Sequence, residues 1–265
     1  MRKSLKNAAV FGMAFVFLSA LSFAQVKLEI TGFGNYNFNL GYPKDLTMDS
    51  VMTAFIPSVL DELKPFFNSA VLGQKGGLGF GGRIALQFSP LIAVEGSVEY
   101  IMAETMFNAD NVTALKTSLQ SIGYTSYTTI QETGGNILRF YGNLVVNIPA
   151  KGNFLPYVTA GIGSTQFKVQ PSIIIDRPDR GEHFDLTYNN ASALTFNGGA
   201  GFKYFFSDMV GIRFDARIFF GSPEFQQVFG YEWHNVTSVP TGNHITQKGS
   251  HTDATLNLGI VIRLM

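Results

Sequence analysis

Apolar and polar residues alternate one for one along much of this chain. The clearest case is Val210 to Gly221, VGIRFDARIFFG. Ile212, Phe214, Ala216, Ile218 and Phe220 form one set, and Arg213, Asp215 and Arg217 stand between them. A period of two places the two sets on opposite faces of a β-strand. The same alternation predicts eight strands, at about 27–41, 76–88, 92–104, 136–148, 154–167, 193–206, 210–221 and 253–264. Their length suits a tilted strand that crosses a bilayer.

The connections alternate as well. Ser89-Pro90-Leu91, Pro149 to Asn153 and Ser207-Asp208-Met209 are short, whereas the other four run to roughly 25 to 34 residues. Short turns on one rim and long loops on the other are the pattern of an outer-membrane barrel, with an even strand number leaving both termini on the short-turn side. A soluble lipocalin-like barrel is the alternative. It would turn the bulky apolar set inward and expose the other set, which is rich in Gly and small residues and better suited to a cramped lumen. The expected fold is therefore all-β: an eight-stranded antiparallel up-and-down transmembrane barrel with short helices in extracellular loops.

Composition agrees with this picture. Charged residues make up only 14%, Phe alone contributes 25 residues, and there is no Cys, so no disulfide framework supports an exported fold. Arg2, Lys3 and Lys6 precede an apolar run from Ala8 to Leu21 and a small-x-small site at Ser22-Phe23-Ala24. Residues 1–24 read as a secretory signal peptide, too short for a membrane anchor, and residues 25–265 as the barrel domain. The chain carries 19 Lys+Arg and 19 Asp+Glu. Loss of the leader's basic residues tips the balance slightly acidic, which gives no reason to expect a nucleic-acid partner.

NFLPYVTAGIG (Asn153 to Gly163), FNGGAGFKYFF (Phe196 to Phe206) and VGIRFDARIFF resemble the small outer-membrane β-barrel family of outer-membrane proteins A and W. The likeness covers residues 25–265 in pattern and the fifth to seventh strands in motif. It implies an outer-membrane location and, as surroundings and partners, outer-membrane lipid with lipopolysaccharide and the barrel-assembly machinery; a monomer is expected. Two departures stand out. The chain ends Arg263-Leu264-Met265 rather than on an aromatic residue, and no periplasmic domain follows the last strand. The peptidoglycan-binding role of full-length protein A is therefore not carried over.

The membrane reading turns a polar set inward: Lys27, Glu29, Arg83, Glu95, Glu99, Arg139, Lys203, Arg213, Asp215, Arg217 and Arg263. An eight-stranded barrel has room only for side chains, and unpaired charge there is costly. The expected outcome is a structural charge network that fills the lumen, with Glu95 and Glu99 as partners for the charges of the seventh strand. A narrow, anion-leaning pore is the other reading.

The first long loop holds Met48, Val51, Met52, Phe55, Ile56, Val59, Leu60 and Leu63 at helical spacing, interrupted by Pro57. The second repeats the idea with Val112, Leu115, Leu119 and Ile122, after a cap at Asp110 or Asn111 and before Gly123. Such helices would cap the barrel, lie in the membrane interface, or form an apolar vestibule for small hydrophobic molecules. The last is what the resemblance to protein W implies, and it would rest on Phe55, Ile56, Val59 and Leu63.

All four histidines, His183, His234, His244 and His251, fall in the predicted third and fourth loops. Asp176, Asp179, Glu182 and Asp185 surround the first, but the spacing matches no metal motif, and Arg177 and Arg180 suggest local pairing. The run Gly76-Gly77-Leu78-Gly79-Phe80-Gly81-Gly82 lacks the Lys-Ser/Thr of a phosphate loop. No cofactor is expected. His183 or His234 near Ser192 or Ser222 would be the only start of a hydrolytic site, so the chain is expected not to be an enzyme.

Overall fold

A computed structural model describes residues 26–43, 45–48, 72–121, 123–233, 236–237 and 242–264. The leader, and the first-loop run from Val51 to Leu63 with Phe55, Ile56 and Val59, lie outside these residues. In chain order the strands are β1 (Lys27–Gly41), β2 (Asp45–Met48), β3 (Leu72–Gln74), β4 (Gly77–Gln87), β5 (Ile92–Ile101) and β6 (Thr105–Phe107). Helix α1 (Ala109–Ser121) follows, then β7 (Thr128–Gln131), β8 (Thr133–Asn147), β9 (Phe154–Val169), β10 (Ser172–Arg177) and β11 (Glu182–Tyr188). The last are β12 (Ala191–Phe205), β13 (Val210–Gly221), β14 (Glu224–Trp233), β15 (Val236–Thr237), β16 (Gly242–Lys248) and β17 (His251–Leu264).

Eight of these close into a barrel in the order β1-β4-β5-β8-β9-β12-β13-β17, with β17 returning to β1 and every pairing antiparallel. Closure leaves no barrel strand with an unpaired edge. The two-residue alternation survives intact. Along β13, Arg213, Asp215 and Arg217 are at most 2% exposed, while Phe214, Ile218 and Phe220 are 36–50% exposed. Large apolar residues such as Leu78, Phe80, Leu258 and Ile260 cover the rest of the outer wall. Among the described residues no helix is long and apolar enough to cross a membrane, so any crossing is made by these strands.

The outer wall also has a waist. Gly32, Gly82, Gly96, Gly142, Ala160, Gly198 and Ala216 face outward on seven successive strands. Gly32 pairs with Gly82, Gly96 with Gly142 and Ala160 with Gly198. Gly82 pairs with Val98, Gly142 with Ile162 and Gly198 with Ile218, so the row steps two residues between each pair, as strand tilt requires.

The long-loop rim departs from simple loops. The chain there builds a second sheet, in the order β2-β16-β14-β11-β10-β7 with β15 on β14. Met48, expected to open a helix, instead ends strand β2. The second-loop helix does form, as α1. Its start lies earlier than expected, because the Asn108 side chain accepts the Asp110 amide at 3.0 Å. Gly123, at φ +76°, follows its end, and the Tyr124 amide returns to the Leu119 carbonyl at 2.8 Å. Val112, Leu115 and Leu119 point down from α1 onto a buried cluster that includes Phe107, Ile173, Leu186 and Phe225. Ile101, Ile137 and Phe167, inward-facing at the top of β5, β8 and β9, belong to the same cluster, so the lumen is apolar at that end. Tyr188 is buried at its edge, where burial pushes its phenol well above the ordinary range.

Candidate functional site: the charged lumen

Below the apolar storey the lumen is filled by ions that sit level above level. At mid-height Arg83, Arg213 and Arg217 enclose Glu95 and Asp215. Arg83 Nη1 donates to Asp215 Oδ2 at 2.6 Å, Arg217 Nε to Asp215 Oδ1 at 2.7 Å, and Arg217 Nη2 to Glu95 Oε1 at 2.8 Å. Arg213 donates to the other oxygen of Glu95 and, through Nε, to the Tyr157 hydroxyl at 2.6 Å. Tyr157 in turn donates to Asp215 at 2.9 Å. Asn143 and Asn257 add amide donors to Glu95 and Asp215, at 3.3 and 3.1 Å.

Nearer the long-loop rim Arg139 donates to Asp253 and lies 3.7 Å from Glu99. Asn37 donates to Asp253 at 2.9 Å, and Asn35 to Glu99. Towards the short turns Glu29 accepts from Lys203 and from both Nε and Nη2 of Arg263, the latter at 2.9 Å. Glu29, Arg83, Glu95, Glu99, Arg139, Lys203, Arg213, Asp215 and Arg217 are all at most 2% exposed. Arg263 retains some access to solvent and Lys27 is half-buried. The partnership suggested for Glu99 differs in detail: it stands with Arg139 of β8, while Glu95 serves β13.

Each arginine also lies over an aromatic ring. Arg83 is 4.0 Å from the Phe33 centroid, Arg139 4.3 Å from Phe219, Arg213 4.7 Å from Tyr157 and Arg263 3.8 Å from Phe205. A desolvated cation over a ring face gains about 2 kcal/mol, which offsets part of the loss of hydration. Room for these stacks comes from inward glycines. A Cβ at Gly201 would stand 2.8 Å from the Tyr157 hydroxyl and 2.5 Å from Asp215 Cβ.

Asp253 and His251 are lumen residues that the sequence reading left out. His251, placed in a loop by that reading, opens β17 and is buried, with Nε2 2.8 Å from Gln74 Oε1 and Nδ1 3.4 Å from Asp253. Carrying the parity of Arg263, Asn257 and Thr255 two and then four positions back along β17 would have found both. Phe33, Phe205 and Phe219 were missed for a similar reason: apolar residues on the inward register do not announce themselves.

His183 lies in β11 of the second sheet, not in a free loop, 3.8 Å from Asp176 on β10. Arg177 forms its hydrogen bond with Asp179 at 2.8 Å and holds that carboxyl below its ordinary range. Among the described residues, no group of three or more His, Asp or Glu is placed to hold a metal ion.

The family model for the outer membrane protein beta-barrel domain matches residues 8–227. Among solved structures the fold is similar to the outer membrane protein OprG from Pseudomonas aeruginosa, with a TM-score of 0.51, 12% identity, and coverage of 91% of this chain and 97% of that one. Neisserial surface protein A (TM-score 0.39, 8% identity, 89% and 96% coverage) is similar at a lower level. So is the attachment invasion locus protein Ail of Yersinia pestis (0.37, 11%, 90% and 99%). No curated protein matches the sequence. The family match spans well over half of the chain and agrees with the closed eight-stranded barrel, so this is an outer-membrane protein of the outer membrane protein beta-barrel domain family.

Proposed function

We propose that this protein is a closed barrel whose role is structural and surface-exposed, with its extracellular sheet as the working face and its lumen sealed by side chains. The observation that carries this reading is the neutral stack of four guanidiniums, Arg83, Arg139, Arg213 and Arg217, against four carboxylates, Glu95, Glu99, Asp215 and Asp253. Opening a path for ions through it requires separating buried pairs, which costs several kcal/mol each. Each of the lumen carboxylates Glu29, Glu95, Glu99, Asp215 and Asp253 has a basic partner, and the reading invokes neither a catalytic step nor a cofactor. Residues 1–24 act as the export signal in this reading, and the mature chain works as a monomer in contact with lipopolysaccharide after delivery by the barrel-assembly machinery. Refolded protein in a planar bilayer should show no steady conductance; large sustained currents would overturn the proposal.

Passage of small hydrophobic molecules is the competing reading. It draws support from the apolar upper storey beneath α1, and its vestibule residues would be Phe55, Ile56, Val59 and Leu63, which lie outside the described residues. Uptake of a hydrophobic fluorophore into proteoliposomes, faster than into empty vesicles and slowed by Phe55→Ser, would favour that reading over the closed barrel.

A further inference from the structure

Charge in the lumen is balanced over the mid-height level and the one above it taken together, four guanidiniums against four carboxylates, but not at the periplasmic mouth, the rim of short turns. Lys203 and Arg263 meet there around a single buried carboxylate, Glu29, and Lys27, two residues before it on β1, lines the same mouth. Both Glu29 oxygens are committed, Oε1 to Arg263 and Oε2 to Lys203. Even with Asp208 on the neighbouring turn included, one positive charge is left over. A cavity of about 730 Å³ opens at this level, lined by Lys27, Arg263, Ser89, Ser207 and Asp208 among others. That volume falls within the range of small-molecule sites, about 300–1,000 Å³.

The two serines are prepared in the same way. Ser89 Oγ accepts the amides of Leu91 and Ile92 at 3.2 and 3.0 Å, and Ser207 Oγ those of Met209 and Val210 at 3.3 and 3.1 Å. With its lone pairs turned to the backbone, each hydroxyl keeps its proton for an acceptor elsewhere. Two turns that are far apart in sequence thus bring one hydroxyl donor each to a cavity that also holds an ammonium and the edge of a guanidinium. Cations and neutral donors arriving from several sides suit an anion with several oxygens.

We propose that the periplasmic vestibule binds a phosphate group, held by Lys27 and Arg263 with Ser89 and Ser207 as hydroxyl donors. The phosphate belongs either to a free solute or to a lipid headgroup at the rim. The test is an NMR titration of the full barrel in maltoside micelles, which contain no phosphate, with inorganic phosphate added. Saturable shifts are expected at the amides of Ser89 to Ile92 and Ser207 to Val210, with affinity about tenfold weaker in Lys27→Gln and reduced to a smaller extent in Ser207→Ala. Heat-modified gel mobility checks that both variants fold. The same protein in phosphatidylcholine nanodiscs, with and without phosphatidylglycerol, separates the sources. A headgroup occupant shifts the same amides without added phosphate and blocks the titration, whereas a free solute still titrates. Chloride at matched ionic strength producing the same shifts, equal affinity in Lys27→Gln, or shifts confined to the extracellular sheet would each overturn the proposal.

Discussion

The two halves of the barrel interior solve the same packing problem with opposite chemistry. The upper storey joins Ile101, Ile137 and Phe167 to α1 and the second sheet through apolar contact, which is non-directional and tolerant. The lower lumen relies on pairs whose worth depends on every partner being present. Damage should therefore stay local above and spread below, and several substitutions can break or sharpen that contrast.

The largest effect belongs to the ions. Glu95→Gln leaves Arg83, Arg213 and Arg217 with Asp215 as their only carboxylate at that level, and should cost about 3–5 kcal/mol of whole-barrel stability. Urea unfolding in lipid vesicles measures it. Glu104→Gln, which removes the exposed partner of Lys75 at 3.8 Å, should change the same curve hardly at all. Similar losses in the two variants would mean that water, not pairing, satisfies the lumen.

Next comes Leu115→Ala in α1, expected to cost about 2–5 kcal/mol, confined to the cap. Proteolysis within Ala109–Ser121 should speed up while the barrel's heat-modified gel mobility stays unchanged. Loss of barrel folding would show that the two storeys form one cooperative unit.

Glycine gives a smaller effect, with a sign that depends on the face. Gly201→Ala pushes a methyl group into Tyr157 and Asp215 and should destabilise by about 1–3 kcal/mol. Gly96→Ala meets nothing within 4 Å and should be neutral or slightly stabilising in the same urea titration.

The smallest effect lies on the exposed hairpin between β10 and β11. Asp179 has its folded pKa depressed by Arg177, so its contribution is present above the unfolded pKa and fades as pH falls through the folded one. Because the pair is exposed, stability should barely follow. A carboxyl NMR titration should instead show a low midpoint that returns to the ordinary Asp value in Arg177→Gln.

How much of this was legible in the chain follows the range of the interactions. Barrel strands are local, and a period of two reads them almost residue by residue. The β10–β11 hairpin was within reach too, since Gly181 at φ +62° follows Pro178-Asp179-Arg180 between two β-rich runs. The order of the second sheet was not. Pairings such as β2 with β16 join distant segments that carry no mark of each other. In the lumen, parity named most of the charges, yet which acid meets which base depends on shear across the barrel, as when Arg139 finds Asp253.

Those partnerships also fix when the interior can be completed. Arg83 and Asp215 are 132 residues apart, Arg139 and Asp253 are 114 apart, and Glu29 and Lys203 are 174 apart. Each pair joins an early strand to a late one, so none can form in an isolated hairpin of neighbouring strands. Contacts of such long range are slow to form because the loop entropy is lost before they reward it. The ion stack thus records closure: Arg139 meets Asp253 only once β17 is in place, and a barrel truncated before β17 would leave Arg139 without that carboxylate.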